Sequence, residues 1–442
     1  MEITGSAMLK PVYTAPHPLA GEKVPLTVFD RAALDMFVPM VLAYPAPAPS
    51  NAALKEGLLR AVAPSPHLAG RLPVDSRGRR FIHVNDEGVL VIEATVAADL
   101  ADVLVGGRMA GSVDDLYPKI PEENVGAALL QVKLNRYKYR GLVIGVSYHH
   151  HTADGVAMDA FLTTWARAVR EGNGFTVPSF FLGREATAVP RSTPKPAFDH
   201  RSIEFKARED NSNSSKSYDA VLSMYKMKNL AVHFPAEFIA DLKARVGFRC
   251  STFQCLLAHA WKKLTVARGL KSEEFTQVKV AVNCRGKASS PVPTEFFGNM
   301  VLWAFPRLQA RDVLSWSYGR VVGAIRDAVG RVDEEYIQSF VDFGAVADAN
   351  GEELQATAGA GTMLCPDIEV DSWLGFKINR LDFGTGTNTV FLPPDLPIEG
   401  LLVFVPSCTE MGAVDLVLAV AEDHAAAFEN TCYSLDHLPA RM

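Results

Sequence analysis

The chain has 442 residues, of which 48% are hydrophobic and 21% charged, so it is long enough to bury two or more cores. It carries 44 Lys and Arg against 50 Asp and Glu, a net charge of −6, which gives no electrostatic reason to expect nucleic acid or an anionic membrane as a partner. Its 6 cysteines form no Cys-x-x-Cys pair, a pattern typical of reduced cytoplasmic thiols rather than of disulfides or a zinc site.

The beginning and the middle of the chain set its expected organisation. Residues 1–10 lack the basic start and apolar stretch of a signal peptide, and no apolar run approaches the roughly 18 residues that a membrane span requires. We therefore expect a cytoplasmic monomer. A Pro-rich stretch and a polar run interrupt the periodic pattern between residues 172 and 220. This predicts an N-terminal domain over residues 1–175, a crossover loop over 176–220 and a C-terminal domain over 221–442.

Strand-like and helix-like segments alternate on both sides of this connection, which predicts a mixed α/β fold. In the first half, residues 142–148 form a β-rich apolar run, and residues 156–170 carry apolar side chains at helical spacing. In the second half, Ser251 is placed to cap a helix, and residues 277–283 and 413–420 alternate as strands do.

The first predicted strand runs directly into a histidine-rich turn, His149 to Gly155, before the helix begins. A histidine at the end of a strand can project its ring into a cleft while its backbone is fixed. Imidazole, with a pKa of about 6.5, suits a general base near neutral pH. His150 is therefore the candidate base, with Asp154 in the pattern His-x-x-x-Asp-Gly. A helix N-cap is the simpler role for Asp154, and a structural role for His150 is the competing interpretation.

The three consecutive histidines also raise the possibility of a metal site. Adjacent strand residues point to opposite faces, so only His149 and His151 share a side. No third ligand stands at zinc-site spacing in the sequence. We therefore expect no metal, and no cofactor of another kind.

A second segment, Asp382-Phe383-Gly384-Thr385-Gly386, follows Ser372-Trp373 near the C-terminal end. An Asp-Phe-Gly triplet alone would suggest a protein kinase. The chain lacks the glycine-rich loop, the strand lysine and the catalytic-loop residues that phosphoryl transfer requires, which excludes that class.

Together the two segments resemble the signatures of the plant BAHD acyltransferases, His-x-x-x-Asp-Gly and Asp-Phe-Gly-Trp-Gly. Weaker supporting stretches occur in the expected order along nearly the whole chain. They are Leu68–Leu72, Ser251–Gln254, Asn283–Arg285 and Phe296–Asn299.

The resemblance implies two similar mixed-sheet α/β domains, like chloramphenicol acetyltransferase, with the active site in a channel at their interface. Acyl-CoA is then a co-substrate that enters from one face, and the acceptor enters from the other. His150 would deprotonate the acceptor for direct attack on the thioester, without a covalent intermediate. Asp154 would turn away from the cleft and pair with an arginine, for which Arg285 is the candidate. Asp382, Gly384 and Gly386 would be structural.

Thr385 stands where the family pattern has tryptophan, which removes a large indole wall and its N–H donor. The threonine hydroxyl could contact the developing oxyanion, a contact of a kind that contributes roughly 3 kcal/mol when well placed. The simpler interpretation is that Thr385 only makes room.

The acceptor is predicted from the segment that precedes the second motif. Leu364 stands where related shikimate- and quinate-acylating enzymes have an arginine that grips a carboxylate, so an anionic acceptor loses its partner. Glu369 and Asp371 alternate on a strand-like segment and would share one face, where a carboxylate pair would hold a cation. This favours agmatine or putrescine, and the chain resembles the agmatine and putrescine N-hydroxycinnamoyltransferases, with p-coumaroyl or feruloyl as the implied acyl group. A solvated strand edge is the competing interpretation of both acids.

Two further pairs of residues are candidates for substrate contacts. Met40 and Leu42 align loosely with acceptor-lining positions of the family, although ordinary core is the simpler interpretation. The helix beginning at Ser251 and Thr252 is the candidate anchor for coenzyme A, because a helix N-terminus with hydroxyls binds phosphate well. Capping alone explains the same serine.

Three other functions compete with amine acylation. The first is O-acylation of a neutral alcohol. The second is a zinc-dependent hydrolase built on His149 and His151. The third is a catalytically silent binding protein of the same fold.

Overall fold

The computed structural model describes residues 1–13, 17–105, 108–119, 126–205, 222–223, 226–287, 292–354, 361–386 and 390–435. The strands are, in chain order, β1 (Glu2–Leu9), β2 (Lys23–Pro25), β3 (Phe37–Tyr44), β4 (Phe81–His83), β5 (Val89–Asp99), β6 (Leu104–Val105), β7 (Arg108–Met109), β8 (Leu130–Lys138), β9 (Leu142–His149), β10 (Met227–Phe234), β11 (Phe275–Asn283), β12 (Val301–Ala304), β13 (Arg307–Gln309), β14 (Ile368–Ser372), β15 (Val390–Leu392), β16 (Leu401–Pro406) and β17 (Val414–Ala421). The α-helices are α1 (Val28–Ala32), α2 (Asn51–Val62), α3 (Leu100–Val103), α4 (Gly155–Glu171), α5 (Arg201–Glu204), α6 (Ala236–Val246), α7 (Thr252–Ala267), α8 (Ala310–Ser315), α9 (Tyr318–Gly330), α10 (Glu334–Ala349) and α11 (Glu422–Thr431).

The N-terminal half forms a six-stranded mixed sheet in the order β1-β5-β8-β9-β3-β15. Only β5 and β8 pair in parallel, and the other neighbours are antiparallel. Helices α2 and α4 pack against each other and share one core with the sheet, in which Leu54, Phe161 and Trp165 are fully buried. The apolar spacing of α4 is what buries this face.

The C-terminal half forms a second mixed sheet in the order β10-β17-β16-β14-β11-β12, with β13 beside β11. Here β14 lies in the middle, parallel to both β11 and β16. Helix α7 is buried beneath the sheet and contacts α6, α8, α9 and α11. Its capping box begins the helix at the position that the sequence predicts.

The predicted fold class, two mixed-sheet α/β domains, is confirmed, and the five segments predicted as strands or helices all form. One strand crosses between the halves, because β15 leaves the C-terminal half and pairs with β3 at the edge of the N-terminal sheet. Residues 206–220 of the predicted crossover loop lie outside the described residues. No described helix is long and apolar enough to cross a membrane.

Candidate active site

His150 lies where the two halves meet, at the first position after β9. Its backbone N–H donates to the Met36 carbonyl at 2.9 Å, and its carbonyl accepts from Asn299 Nδ2 at 2.9 Å. Met36 belongs to the N-terminal half and Asn299 to the C-terminal half, so both halves fix the histidine backbone. The ring borders a cavity, and its buried Nδ1 has no hydrogen-bond partner among the described residues.

This cavity, about 230 Å³ in volume, is walled by both sheets. Most of its lining is apolar or aromatic. The N-terminal half contributes Leu34, Met36, Val38, Tyr148 and His150, and the C-terminal half contributes Lys279, Ala281, Trp303, Glu369, Asp371, Trp373, Phe376, Leu401, Val403 and Val417. A second cavity shares the wall formed by Phe391, Pro393, Pro394 and Asp395. The arrangement is that of an interface site, with one imidazole at the junction.

Asp154 joins the halves through a buried ion pair. Arg285 Nη1 donates to Asp154 Oδ2 at 2.8 Å, and Nη2 donates to Oδ1 at 3.0 Å. The same carboxylate accepts from the backbone N–H of Ala157, as the N-cap of α4, and of Met300, each at 3.0 Å. The resemblance offered Arg285 as this partner. Because both oxygens are fully engaged, we correct the catalytic role considered for Asp154 to a structural one.

Gly155 completes the same junction. A Cβ at this position would lie 2.8 Å from the Phe376 ring, and the next nearest atom would be Trp373 Nε1. Only glycine lets the C-terminal segment approach the beginning of α4 this closely. The Asp-Gly pair therefore joins the two predicted motif regions.

Glu369 and Asp371 both line the cavity from β14, on the shared face that their alternation predicts. The sequence alone did not indicate which side chain of the adjacent strand lies beside these two carboxylates. In the parallel register Lys279 of β11 stands beside Glu369, and its Nζ lies 3.2 Å from Glu369 Oε2. Since one lysine faces two carboxylates, this cluster carries one net negative charge when all three groups are ionised.

Asp371 is the carboxylate of this cluster that has no ion-pair partner within 4 Å among the described residues. Burial and, to a smaller extent, the nearby Glu369 charge raise the pKa of Asp371 to about 7, and the Lys279 charge opposes both. Burial raises the pKa of Tyr148, and the Asp371 charge contributes to this rise. The ring centroid of Tyr148 is 6.4 Å from that of His150. Asp371, a proton-accepting group, therefore lines the same cavity as Tyr148 and His150.

His149 and His151 lie beside the site with a third potential metal ligand, Asp35. One potential ligand atom from each of the three residues lies within 4.8 Å of the other two. The His151 backbone N–H donates to His149 Nδ1 at 3.2 Å, which assigns the proton of the neutral ring to Nε2, facing Asp35 Oδ1 at 3.2 Å. A metal-ligating histidine normally donates its second ring N–H instead. Arg80 also binds Asp35, at 2.8 Å. These contacts favour a structural role, in which the two histidines, Asp35 and Arg80 hold the strand end next to His150.

Thr385 lies far from His150, which overturns its predicted contact with the oxyanion. Its loop packs on Arg170, where Nη1 donates to the Asp382 carbonyl at 3.2 Å, and Thr385 is absent from the cavity wall. The two ends of α4, Gly155 and Arg170, are about 22 Å apart at a rise of about 1.5 Å per residue. Thr385 therefore lies near the C-terminal end of α4, whereas His150 precedes its N-terminal end.

The rest of that motif is structural. Asp382 Oδ1 accepts from the backbone N–H of Gly384 at 2.7 Å and of Gly386 at 2.9 Å. Both glycines have φ near +100°, a conformation that other residues rarely adopt. Phe383 inserts between Tyr44 and Trp165 with edge-to-face contacts at 5.4 and 5.1 Å. The loop is thus an anchor of the C-terminal half on the N-terminal core.

Two predicted substrate contacts lie outside the cavity wall. Met40 and Leu42 are buried in the N-terminal core, and Val38 is the β3 residue whose apolar side chain reaches the cavity from the same face. This corrects the acceptor role considered for Met40 and Leu42, because helices cover that part of the strand.

The proposed coenzyme A residues are engaged in local contacts. Ser251 Oγ accepts from the Gln254 N–H at 3.1 Å as the cap of α7, and Thr252 Oγ1 accepts from Lys243 Nζ at 2.8 Å. Neither residue lines the cavity. Their contact with coenzyme A stays a prediction.

The comparisons with known proteins agree with this geometry. The sequence profile of the Transferase family matches residues 1–435. Tryptamine benzoyltransferase 2 and tryptamine hydroxycinnamoyltransferase 2 of Oryza sativa subsp. japonica are 61% and 56% identical, covering 99% of this chain and 98% and 99% of their own lengths. Agmatine hydroxycinnamoyltransferase 1 of the same organism is 37% identical over 99% of this chain and its whole length. Among solved structures, vinorine synthase superposes with a TM-score of 0.70 at 21% identity, covering 96% of each chain.

The fold, the interface histidine and the family profile together define an acyltransferase. The chain belongs to the BAHD family of acyl-CoA-dependent acyltransferases. Its curated relatives include transferases named for tryptamine, agmatine and putrescine.

We predict that Asp154→Ala lowers the free energy of unfolding by about 3–5 kcal/mol, because it leaves Arg285 buried and unpaired. Urea titration followed by tryptophan fluorescence measures this change. Asp348→Ala is the matched control, since Asp348 pairs with Arg31 across the same two halves but is 45% exposed, and it should cost about 1 kcal/mol or less. Equal losses in the two variants would contradict the structural role of Asp154.

We also predict that Thr385→Ala keeps kcat within about twofold of the wild-type value, because the hydroxyl lies too far from His150 to act on the reaction. Steady-state rates with saturating acyl-CoA test this. A loss of about 100-fold would restore the oxyanion role.

Proposed function

We propose that this protein transfers an aromatic acyl group, benzoyl or hydroxycinnamoyl, from coenzyme A to the primary amine of an arylalkylamine such as tryptamine. One observation carries the choice of acceptor: the cavity beside His150 is largely apolar and aromatic, and the cation on its carboxylate pair is the chain's own Lys279. An acceptor with one ammonium and an uncharged ring matches that wall. The tryptamine transferases at 61% and 56% identity support the same class.

Agmatine or putrescine, predicted from Glu369 and Asp371, remains the second candidate. The carboxylates do line the cavity, and an agmatine transferase is 37% identical. The Lys279 contact weighs against it, because Glu369 already has a cation partner at 3.2 Å. Among the described residues no contact of the site favours a neutral alcohol, and the tautomer of His149 disfavours the zinc hydrolase.

The chemistry requires one base and a bound thioester. His150 takes the proton from the acceptor nitrogen as that nitrogen attacks the thioester carbonyl. The tetrahedral intermediate then breaks its C–S bond, and the proton passes from His150 to the departing thiolate. This direct transfer needs no covalent enzyme intermediate, and we propose that it needs no cofactor.

The acceptor arrives as an ammonium ion, because alkylamines have a pKa near 10.4, as lysine does. It must lose one proton before the attack. In its ionised form Asp371 can bind the ammonium, and its raised pKa lets it take that first proton. His150 then accepts only the second proton, so Asp371 and His150 each accept one proton from the acceptor nitrogen.

The test of this function is an acceptor panel. The protein is mixed with benzoyl-CoA or p-coumaroyl-CoA and with tryptamine, tyramine, agmatine, putrescine, spermidine or shikimate, and products are identified by mass. We expect the highest kcat/KM for tryptamine. His150→Ala should lower kcat by at least about 100-fold. His424→Ala, in α11 and outside the cavity wall, is the control and should not. A strong preference for agmatine would overturn the proposed acceptor, and full activity of His150→Ala would overturn the mechanism.

Amine binding should depend on pH through Asp371. Because the folded state raises its pKa to about 7, the ionised carboxylate gains population as pH rises through 7, and the dissociation constant of tryptamine should fall. Glu369, Lys279, Tyr148 and His150 face the same space. Calorimetry at pH 6 and pH 8 without acyl-CoA measures the effect, and Asp371→Asn should reduce the difference between the two dissociation constants. An unchanged difference in that variant would exclude Asp371.

A further inference from the structure

Lys279 occupies an unusual place for a lysine, on the floor of the acceptor cavity. Its side chain is only 14% exposed and that of Glu369 only 10% exposed. Besides the contact with Glu369, the Lys279 Nζ lies 4.3 Å from the centroid of the Trp303 ring. A carboxylate on one side and an indole face on another form a strong site for an organic cation in a desolvated setting.

The register of the sheet explains how this site is built. On β11 the alternating residues Lys279, Ala281 and Asn283 line the cavity. Ala281 pairs with Trp303 on one side, and on the other the parallel register of β11 with β14 ends at Val280 and Val370, the residue before Asp371. The small Ala281 side chain leaves space between the indole and the free carboxylate, while the Lys279 ammonium closes the end beside Glu369.

We propose that Lys279 is a specificity-determining residue: a built-in cation that fills the subsite which the distal ammonium or guanidinium of a diamine-type acceptor would need. The inference rests on the proposed function and deepens it, since it names what selects the acceptor class. With Lys279 in place the cluster holds one uncompensated carboxylate, enough for the single ammonium of an arylalkylamine.

A second substrate cation would meet two penalties. Lys279, attached to the chain, is always present at Glu369, so a free ligand must displace a tethered competitor. A distal cation that does not displace it lies next to a like charge in a desolvated wall. An uncharged ring meets neither penalty and packs against Trp303 and Val403. Lys279 thus rejects dications and leaves monocations unaffected.

Lys279→Met tests this, because methionine keeps much of the side-chain length and removes the charge. We expect kcat/KM for agmatine, divided by that for tryptamine, to rise by at least about tenfold, chiefly through a lower KM for agmatine. Lys279→Arg should keep the wild-type ratio. Lys228→Met is the matched control and should leave the ratio unchanged, since Lys228 lies on β10 outside both cavities and forms an exposed ion pair with Glu429 of α11.

The double variant Lys279→Met with Glu369→Gln should lose most of the gain, because the released carboxylate is what binds the new cation. If the methionine variant does not fold, Lys279→Gln, which can still donate to Glu369, replaces it. A ratio within threefold of wild type in a folded variant would overturn the proposal.

Failure of the proposed function and failure of the Lys279 proposal give different experimental results. If the wild-type chain does not acylate tryptamine, the proposed function fails. The Lys279 proposal is then tested with agmatine alone. The quantity measured is the KM for agmatine or, if another acceptor is the substrate, the inhibition constant of agmatine. A decrease of at least about tenfold in Lys279→Met supports the proposal, and no decrease refutes it.

Discussion

The site depends on one buried ion pair, Asp154 with Arg285. Its carboxylate caps α4 in the N-terminal half and receives four hydrogen bonds, three of them from the C-terminal half. Two desolvated charges are stable there only because every donor and acceptor is matched. The pair therefore fixes the mutual position of the sheets. His150 comes from one sheet and the opposite cavity wall from the other, so the geometry of the cavity follows from this contact.

A second layer of contacts refines the position of His150. Asn299 donates to its carbonyl and, at 3.0 Å, to Asp30 Oδ1, while Asp30 also binds the buried Arg184. On the other side, burial lowers the pKa of His151 to about 3, so that ring stays neutral at physiological pH. His150 thus stands between a charged network and an uncharged histidine pair, held by its backbone and with its ring at the cavity.

The cavity wall formed by β11 and β14 carries a charge that the protein supplies itself. Glu369 and Asp371 would form a dianionic pair when both are ionised, and Lys279 then reduces the net charge to that of one carboxylate. The amine-conjugating relatives of this chain differ in the acceptors they are named for, tryptamine or agmatine. A single charged side chain on a neighbouring strand can distinguish such acceptors without altering the base or the fold.

The sequence by itself determined the features that local periodicity encodes. These are the mixed α/β class, the strand that presents His150, the cap at Asp154 and the shared face of Glu369 and Asp371. The tertiary structure decided which distant residues meet. Lys279 and Glu369 are 90 residues apart in the chain, and Thr385 lies at the remote end of α4. Asp35 approaches His149 from a separate segment. Strand order and register join these positions, and both arise from packing of the whole chain, which no local pattern specifies.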